Sequence, residues 1–355
     1  MNLREHIQSS LDDLAAAEKA ISNLGTILPR VSEDFADRIR RMRNTLQARV
    51  GKSTGPTDSL WQDFETDRKA CRDLIRECLA FVEGSLMRQK GFDNGLCSIA
   101  DALLRQFNES AELGWNSFTL PADGESFEGL AEVIRLRFPI TGIWDLPIAA
   151  HEFGHFASTK LKPAAQPRED YTGFQSDAIA PFFEELFADA FGTFALGPAF
   201  VRTCLFRRFP PAAANEQSDG KHPTFATRAY LILAVLKQMG RTVKGYTTIV
   251  ALSAERWRAL TQAAQQPIMK ENKELDTMAR DCYRFLRSSV PRLEYTSWPA
   301  AQSLSSELAA PGDLKGYSLA DALNAAWIAR LVAGSNSQEI SQRAIEVSKK
   351  IAEAE

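Results

Sequence analysis

The chain has 355 residues, of which 45% are hydrophobic and 25% charged, as is ordinary for a soluble globular protein with two or three structural units. A formal net charge of −3 gives no electrostatic basis for binding nucleic acid or an anionic membrane surface. The first residues, MNLREHIQSSLDDL, carry charges from position 4 onward and lack an apolar core, so we expect no signal peptide.

Regularly spaced apolar residues in the first 50 positions predict two amphipathic helices that pack as a hairpin. The two apolar stripes consist of Ile7, Leu14, Ile21 and Leu28, and of Phe35, Ile39, Met42 and Leu46. Helical periodicity resumes after the turn-forming segment 51–57. The arginines at positions 38–43 are interpreted as a solvated helix face, and the alternative is a surface for a protein partner or for self-association.

The character of the sequence changes between residues 115 and 145, where segments 118–120 and 133–138 carry short-strand signals. The second segment alternates apolar and basic residues and lies just upstream of a predicted helix. Two interpretations stay open for it. It is either the edge of a substrate cleft, where a strand could pair with an extended peptide, or an ordinary interior strand.

The segment 146–159 predicts a helix, with Asp145 as its cap and Pro147 in its first turn. His151 and His155 are four positions apart on it and therefore project from the same face, where two imidazoles can bind one cation. Glu152 is placed to reach a water molecule on that cation without being a ligand itself. This pattern predicts one catalytic Zn²⁺ ion per chain, which requires a third protein ligand.

A second helix, predicted at 179–196, is apolar nearly all round and is therefore expected to be buried. Buried carboxylates are costly unless they meet a metal, a cation or hydrogen-bond donors. Glu185 is the preferred third ligand, and Asp189, one turn further on, could accept a proton from a ligand histidine. Glu184, about 100° away around the helix, stays the competing ligand. The acidic residues interrupt the apolar stretch, so no membrane span is predicted.

These motifs resemble those of the gluzincin metallopeptidases, in which HExxH is followed by Glu-x-x-Ala-Asp, here from Glu185 to Asp189. In particular they are similar to the branch of the prenyl-protein endopeptidase and heat-shock-protein-X peptidases. That branch also carries His-Pro-x-x-x-x-Arg, and this chain has His222 and Arg228 in that pattern. The similarity covers about residues 145–230, and the three motifs follow one another in the order of the family.

The resemblance implies His151, His155 and Glu185 as zinc ligands and Glu152 as general base. It places Asp189 and Arg228 behind the ligands and His222 near the site, where it could stabilise the oxyanion of the tetrahedral intermediate. Members of this branch commonly carry transmembrane helices. Because none is predicted here, a prenylated substrate within a membrane is not carried over.

The remaining sequence predicts mainly helices, including 320–331 and 340–351, which we interpret as packing elements. Five scattered cysteines without a CxxC pair fit a reducing cytoplasm. We therefore expect an α-rich α+β protein: a helical region at 1–110, a zincin-like core with a small sheet at 111–240 and a helical region at 241–355.

The expected activity is zinc-dependent hydrolysis of a protein or peptide substrate in the cytoplasm, with Glu152 as the base. Two alternatives stay open. One is a catalytically silent zincin-like protein that serves in binding or regulation. The other is a metallohydrolase of a non-peptide amide, which would use the same activation of water.

Overall fold

The computed structural model describes residues 3–22, 29–52, 58–124, 126–128, 133–137, 142–167, 169–177, 179–216, 222–267, 271–308, 311–332 and 335–354. In this part of the chain, thirteen α-helices follow one another: α1 (Leu3–Ser22), α2 (Pro29–Lys52), α3 (Asp58–Gln89), α4 (Leu96–Ala111), α5 (Ile148–Leu161), α6 (Phe183–Leu196), α7 (Pro198–Thr203), α8 (Phe225–Met239), α9 (Tyr246–Ala263), α10 (Lys273–Ser289), α11 (Trp298–Glu307), α12 (Leu319–Arg330) and α13 (Ser337–Ala354). The strands are β1 (Thr119–Ala122), β2 (Ser126–Glu128) and β3 (Val133–Arg137). The predicted α-rich α+β class is thereby confirmed, whereas the zincin-like character of the core stays a prediction.

The three strands form one sheet in the order β1-β3-β2, with β3 in the middle. β3 runs parallel to β1 and antiparallel to β2, and Ile134 lies opposite Thr119 on one side and Phe127 on the other. Because β3 has a neighbour on each side, the described residues 133–137 form an interior strand, and the expected pairing of this segment with an extended peptide is wrong, although Arg137 at its end lines the cleft described below. Phe138 lies outside the described residues. The edge strands of the sheet are β1 and β2, and the sequence did not predict β2.

Alternate residues of β3 face two different hydrophobic cores. Ile134 and Leu136 join the larger core, whereas Val133 joins a smaller one. Arg135 points to the same side as Val133, and its guanidinium carbon lies 4.8 Å from the ring centre of Phe81 on α3. The alternation of apolar and basic residues in the sequence thus corresponds to the two faces of the strand, because successive side chains of a strand point to opposite sides.

The smaller core belongs to an N-terminal bundle of α1, α2 and α3. The predicted stripes are its buried residues: Ile7, Leu14 and Ile21 on α1 face Phe35, Ile39 and Leu46 on α2. The predicted helical hairpin is confirmed for the residues described. Residues 51 and 52 of the segment predicted as a turn at 51–57 belong to α2 instead, and Leu28 and residues 53–57 lie outside the described residues. The arginine-rich face of α2 is not simply solvated. Arg38 forms a pair with Glu77 of α3, with its Nη1 atom 2.8 Å from Oε1.

The larger core extends along the chain from Leu96 to Ile351 and surrounds α6. α6 packs against α5, α7, α8, α10 and α12, which is why its sequence is apolar nearly all round. The C-terminal helices thus share one core with α5 and α6, and the domain limits at 110 and 240 stay predictions. No helix among the described residues is both long and apolar enough to cross a membrane.

Gly154 sets the approach of α5 to α6. A Cβ atom at this position would lie 2.7 Å from the Cα atom of Ala188 and 3.0 Å from its carbonyl oxygen, both of which are backbone atoms. Such distances require the backbone to move. A residue without a side chain between the two histidines therefore allows the helices that carry the site to pack closely.

We expect Gly154→Ala to destabilise the protein by about 1–2 kcal/mol, because overpacking outweighs the gain in helix propensity. Urea denaturation followed by circular dichroism measures this loss. Gly312→Ala is the control, since a Cβ atom there meets no heavy atom within 4 Å. An unchanged or higher stability of Gly154→Ala would contradict the close packing of the two helices.

Candidate metal centre

α5 carries His151, Glu152 and His155, as predicted, but its start differs from the prediction. The cap residue is Pro147, and no side chain caps the helix. The Asp145 carboxylate instead accepts a hydrogen bond from Arg207, with Nη2 2.6 Å from Oδ2. The predicted cap is therefore wrong. A long-range ion pair with an arginine competes successfully with local capping at this position.

α6 carries the acidic residues of the site. Glu185 lies in its first turn with 16% of its side chain exposed and points toward α5, whereas Glu184 is exposed to solvent. Asp189, one turn further along, is completely buried. Glu185, rather than Glu184, forms a group with His151 and His155 that could hold a metal ion.

The three candidate ligand atoms lie at distances that suit one small cation. The Nε2 atoms of His151 and His155 are 3.2 Å apart. The Nε2 atom of His151 lies 3.5 Å from Oε2 of Glu185, and that of His155 lies 3.5 Å from Oε1, the other oxygen of the same carboxylate. A tetrahedral zinc ion with bonds of about 2.0–2.2 Å requires ligand atoms separated by about 3.3 Å. The donor set of two imidazoles and one carboxylate could therefore hold a small divalent cation, and the separation of the two imidazole nitrogens is compatible with zinc.

Asp189 and Arg228 hold His151 from behind. The Oδ1 atom of Asp189 lies 3.0 Å from Nδ1 of His151, a distance at which Nδ1 can donate a hydrogen bond to the carboxylate and Nε2 is directed toward Glu185. Arg228 donates hydrogen bonds of 2.7 Å from both Nε and Nη2 to the two oxygens of the Asp189 carboxylate. The ion pair fixes the carboxylate, and the carboxylate in turn fixes the orientation of the imidazole.

The pKa values of these groups follow from burial and from one another. Burial opposes a charged His151, but hydrogen bonds to Asp189 and Glu185 outweigh it and raise the pKa of His151 to about 9. Burial lowers the pKa of His155 to about 4, and the charge of His151 adds to this effect. Burial also opposes an ionised Asp189, but the charge of Arg228 lowers the pKa of that carboxyl to about 2. A cation at the Nε2 atom of His151 would therefore displace a proton.

The candidate ligands lie in a cleft with a volume of about 920 Å³. Glu152 is buried and lines this cleft beside the histidines. His222 also lines it, with 44% of its side chain exposed and its Nε2 atom 3.3 Å from Oε1 of Glu185. The structure thus brings all seven predicted site residues to one place, although they come from three separate parts of the chain.

Sequence reasoning missed the other walls of the cleft. Phe127 comes from β2, and Arg207, Arg208 and Phe209 come from the other side. The two arginines lie in a π-helical turn, Cys204–Arg208, which extends α7, and such turns are frequent at functional sites. The two consecutive arginines at 207 and 208 were the sole local feature of the sequence that could have indicated this part of the cleft. No pattern in the sequence indicates that β2 lines the same cleft as this segment.

Comparisons of the chain with known proteins bear on whether the resemblance to gluzincins reflects a family relationship. The resemblance rests on residues at positions 151–155, 185–189 and 222–228, and these positions do meet in the structure. Geometry of this kind recurs on unrelated folds, so it does not by itself establish a family. The chain matches no protein-family model, no curated protein and no solved structure with which it was compared.

Proposed function

We propose that this chain is a zinc-dependent metallopeptidase that cleaves a protein or peptide substrate. The observation that carries the proposal is the group formed by His151, His155 and Glu185, with Glu152 beside it in a large cleft. A site that only stabilises the fold is usually closed by four protein ligands, whereas a catalytic site offers three. The proposed compartment is the cytoplasm, because five unpaired cysteines suit a reducing environment.

The three ligand residues would hold one Zn²⁺ ion, which when bound lowers the pKa of a water molecule and polarises the carbonyl of the substrate. Glu152 would act as general base: it would take the proton of the attacking water and pass it to the leaving amine. Asp189 and Arg228 would keep His151 in the tautomer that presents Nε2. His222 would donate a hydrogen bond to the oxyanion of the intermediate.

The dimensions of the cleft support a substrate rather than a purely structural role. Its volume of about 920 Å³ lies near the upper end of the range for ligand sites, and it contains the buried carboxylate of Glu152. A scaffold that only bound a partner would have no need of a general base at this position. A non-peptide amide is the remaining alternative, and an assay with peptides distinguishes the two.

Metal analysis tests the ligand set. We expect about one zinc per chain in the wild type after dialysis, and loss of that zinc in His155→Ala and in Glu185→Gln, because three ligands are the minimum of such sites. Elemental analysis by mass spectrometry measures the ratio. The matched control is Glu184→Gln, an exposed neighbour of the same chemistry, which should keep its zinc.

Two results would contradict the proposal in different ways. Wild-type protein that takes up no zinc would remove the metal centre altogether. If Glu184→Gln loses its zinc and Glu185→Gln keeps it, then Glu184 is the third ligand in place of Glu185. The other proposed ligands would be unchanged.

A further inference from the structure

A second cavity lies on the other side of Arg207 from the metal centre. It has a volume of about 360 Å³ and lies between the segment 142–144, the end of α12 and the first turns of α13. Its polar lining consists of two arginines, three carboxamides and serine hydroxyls: Arg207, Arg330, Asn94, Gln338, Gln342 and Ser341 among them. None of the described side chains that line the cavity is a carboxylate. The cavity therefore offers mainly hydrogen-bond donors and positive charge.

Arg330 is the central group of this cavity. Its guanidinium lies over two tryptophan rings, 4.6 Å from the ring centre of Trp144 and 5.1 Å from that of Trp327. Its Nη1 atom is buried and meets no hydrogen-bond acceptor among the described residues. A buried donor on a charged group costs free energy unless it is paired. The stacking on tryptophan holds the planar guanidinium in place, as it does in many sites that bind oxyanions.

The balance of charge around the cavity is positive. Arg207 forms an ion pair with Asp145, so the negative charge of that carboxylate is already paired. Burial lowers the pKa of Arg330, the neighbouring charge of Arg207 lowers it further, and Asp145 opposes this with a smaller effect. Among the described residues that line the cavity, two are arginines and none is a carboxylate. An anion between the two arginines would relieve the repulsion between their charges.

We propose that this cavity is a binding site for a phosphate group, separate from the metal centre and independent of its activity. A phosphate group offers more acceptor oxygens than a carboxylate, and the surrounding guanidinium, carboxamide and hydroxyl groups supply donors for them. Leu96, Ile345 and Trp144 form an apolar part of the wall. The cavity therefore accommodates either free phosphate or the phosphate of a small ester, whose organic part would lie against that wall.

Binding and thermal unfolding of the full chain test the proposal, with inorganic phosphate as the probe and chloride at matched ionic strength as the reference. We expect phosphate to raise the Tm of the wild type, because a ligand that binds only the folded state stabilises it. Arg330→Met keeps an unbranched side chain over the tryptophans but removes the donors. It should bind phosphate at least about tenfold more weakly, since a hydrogen bond to a charged group contributes 1.5–3 kcal/mol.

The matched control is Arg343→Met, which removes an arginine of α13 that pairs with Glu339 and does not line the cavity. This variant should bind phosphate like the wild type. If Arg330→Met does not fold, Arg330→Lys keeps the charge and loses the planar fork, and it should also weaken binding.

Phenyl phosphate distinguishes the two sources of the phosphate group. Tighter binding of phenyl phosphate than of inorganic phosphate assigns the site to a phosphate ester, and equal or weaker binding assigns it to free phosphate. The proposal is overturned if phosphate does not raise the Tm of the wild type above the chloride reference. It is also overturned if Arg330→Met, or Arg330→Lys in its place, binds phosphate as tightly as the wild type does.

Discussion

Glu152→Gln is expected to lose hydrolysis by about 10²–10⁴-fold, the usual contribution of a general base, while its zinc content stays that of the wild type. Glutamine has nearly the shape of glutamate but cannot take a proton from water at neutral pH. Glu152 is not one of the three candidate ligands, so the metal centre should be unaffected. The combination of retained metal and lost activity is the expected signature of this residue.

The measurement for Glu152→Gln is a proteomic comparison of cleaved protein termini in cells that express either the wild type or the variant. Termini that appear with the wild type alone identify the substrate and the cleavage site together. Glu184→Gln serves as the matched control, because it changes an exposed carboxylate of the same cleft. Equal cleavage by Glu152→Gln and by the wild type would remove Glu152 as the base.

Arg228→Met is expected to destabilise the protein by about 3–5 kcal/mol, because it removes the guanidinium that pairs with the buried carboxylate of Asp189 and leaves that charge with His151 alone. Asp189 is completely buried, and both of its oxygens accept hydrogen bonds from Arg228. The Arg228 guanidinium also lies 5.2 Å from the ring centre of Phe209, a contact that methionine keeps in part. The loss should therefore come mainly from the broken ion pair between Arg228 and Asp189.

Urea denaturation in the presence of a chelator measures this loss without a contribution from bound metal. Arg76→Met is the control, since this arginine is 79% exposed, pairs with the exposed Asp73 and should change stability by at most about 0.5 kcal/mol. The double variant Arg228→Met, Asp189→Asn should recover most of the loss, because it removes both charges of the pair. A single variant as stable as the control would mean that the pair does not stabilise the fold.

The sequence predicted the grouping of the candidate ligands better than their surroundings. His151, His155, Glu185 and Asp189 lie on two helices, and a spacing of four residues determines which side chains share a face. The same rule separates Glu185 from Glu184, and the structure places the former in the cluster and the latter in solvent. Local periodicity was sufficient here because each helix is regular over its whole length.

The sheet and the walls of the cleft could not be predicted in the same way. β2 has three residues, too few for any periodic signal, and its place beside β3 depends on contacts between distant segments. Asp145 was expected to cap α5, but its ion pair with Arg207 joins residues 62 positions apart. The requirement for glycine at position 154 likewise becomes evident only when Ala188 lies against it.

The two-faced sheet determines how the chain can be shortened. Leu120 and Val133 are buried by the N-terminal bundle, and Arg135 lies over Phe81 of that bundle. A chain that begins at Leu96 would keep every candidate zinc ligand and the larger core, yet it would expose these sheet residues to water. Exposed apolar strands associate with one another. The bundle therefore shields one face of the sheet from water, and we expect a protein produced without the bundle to aggregate.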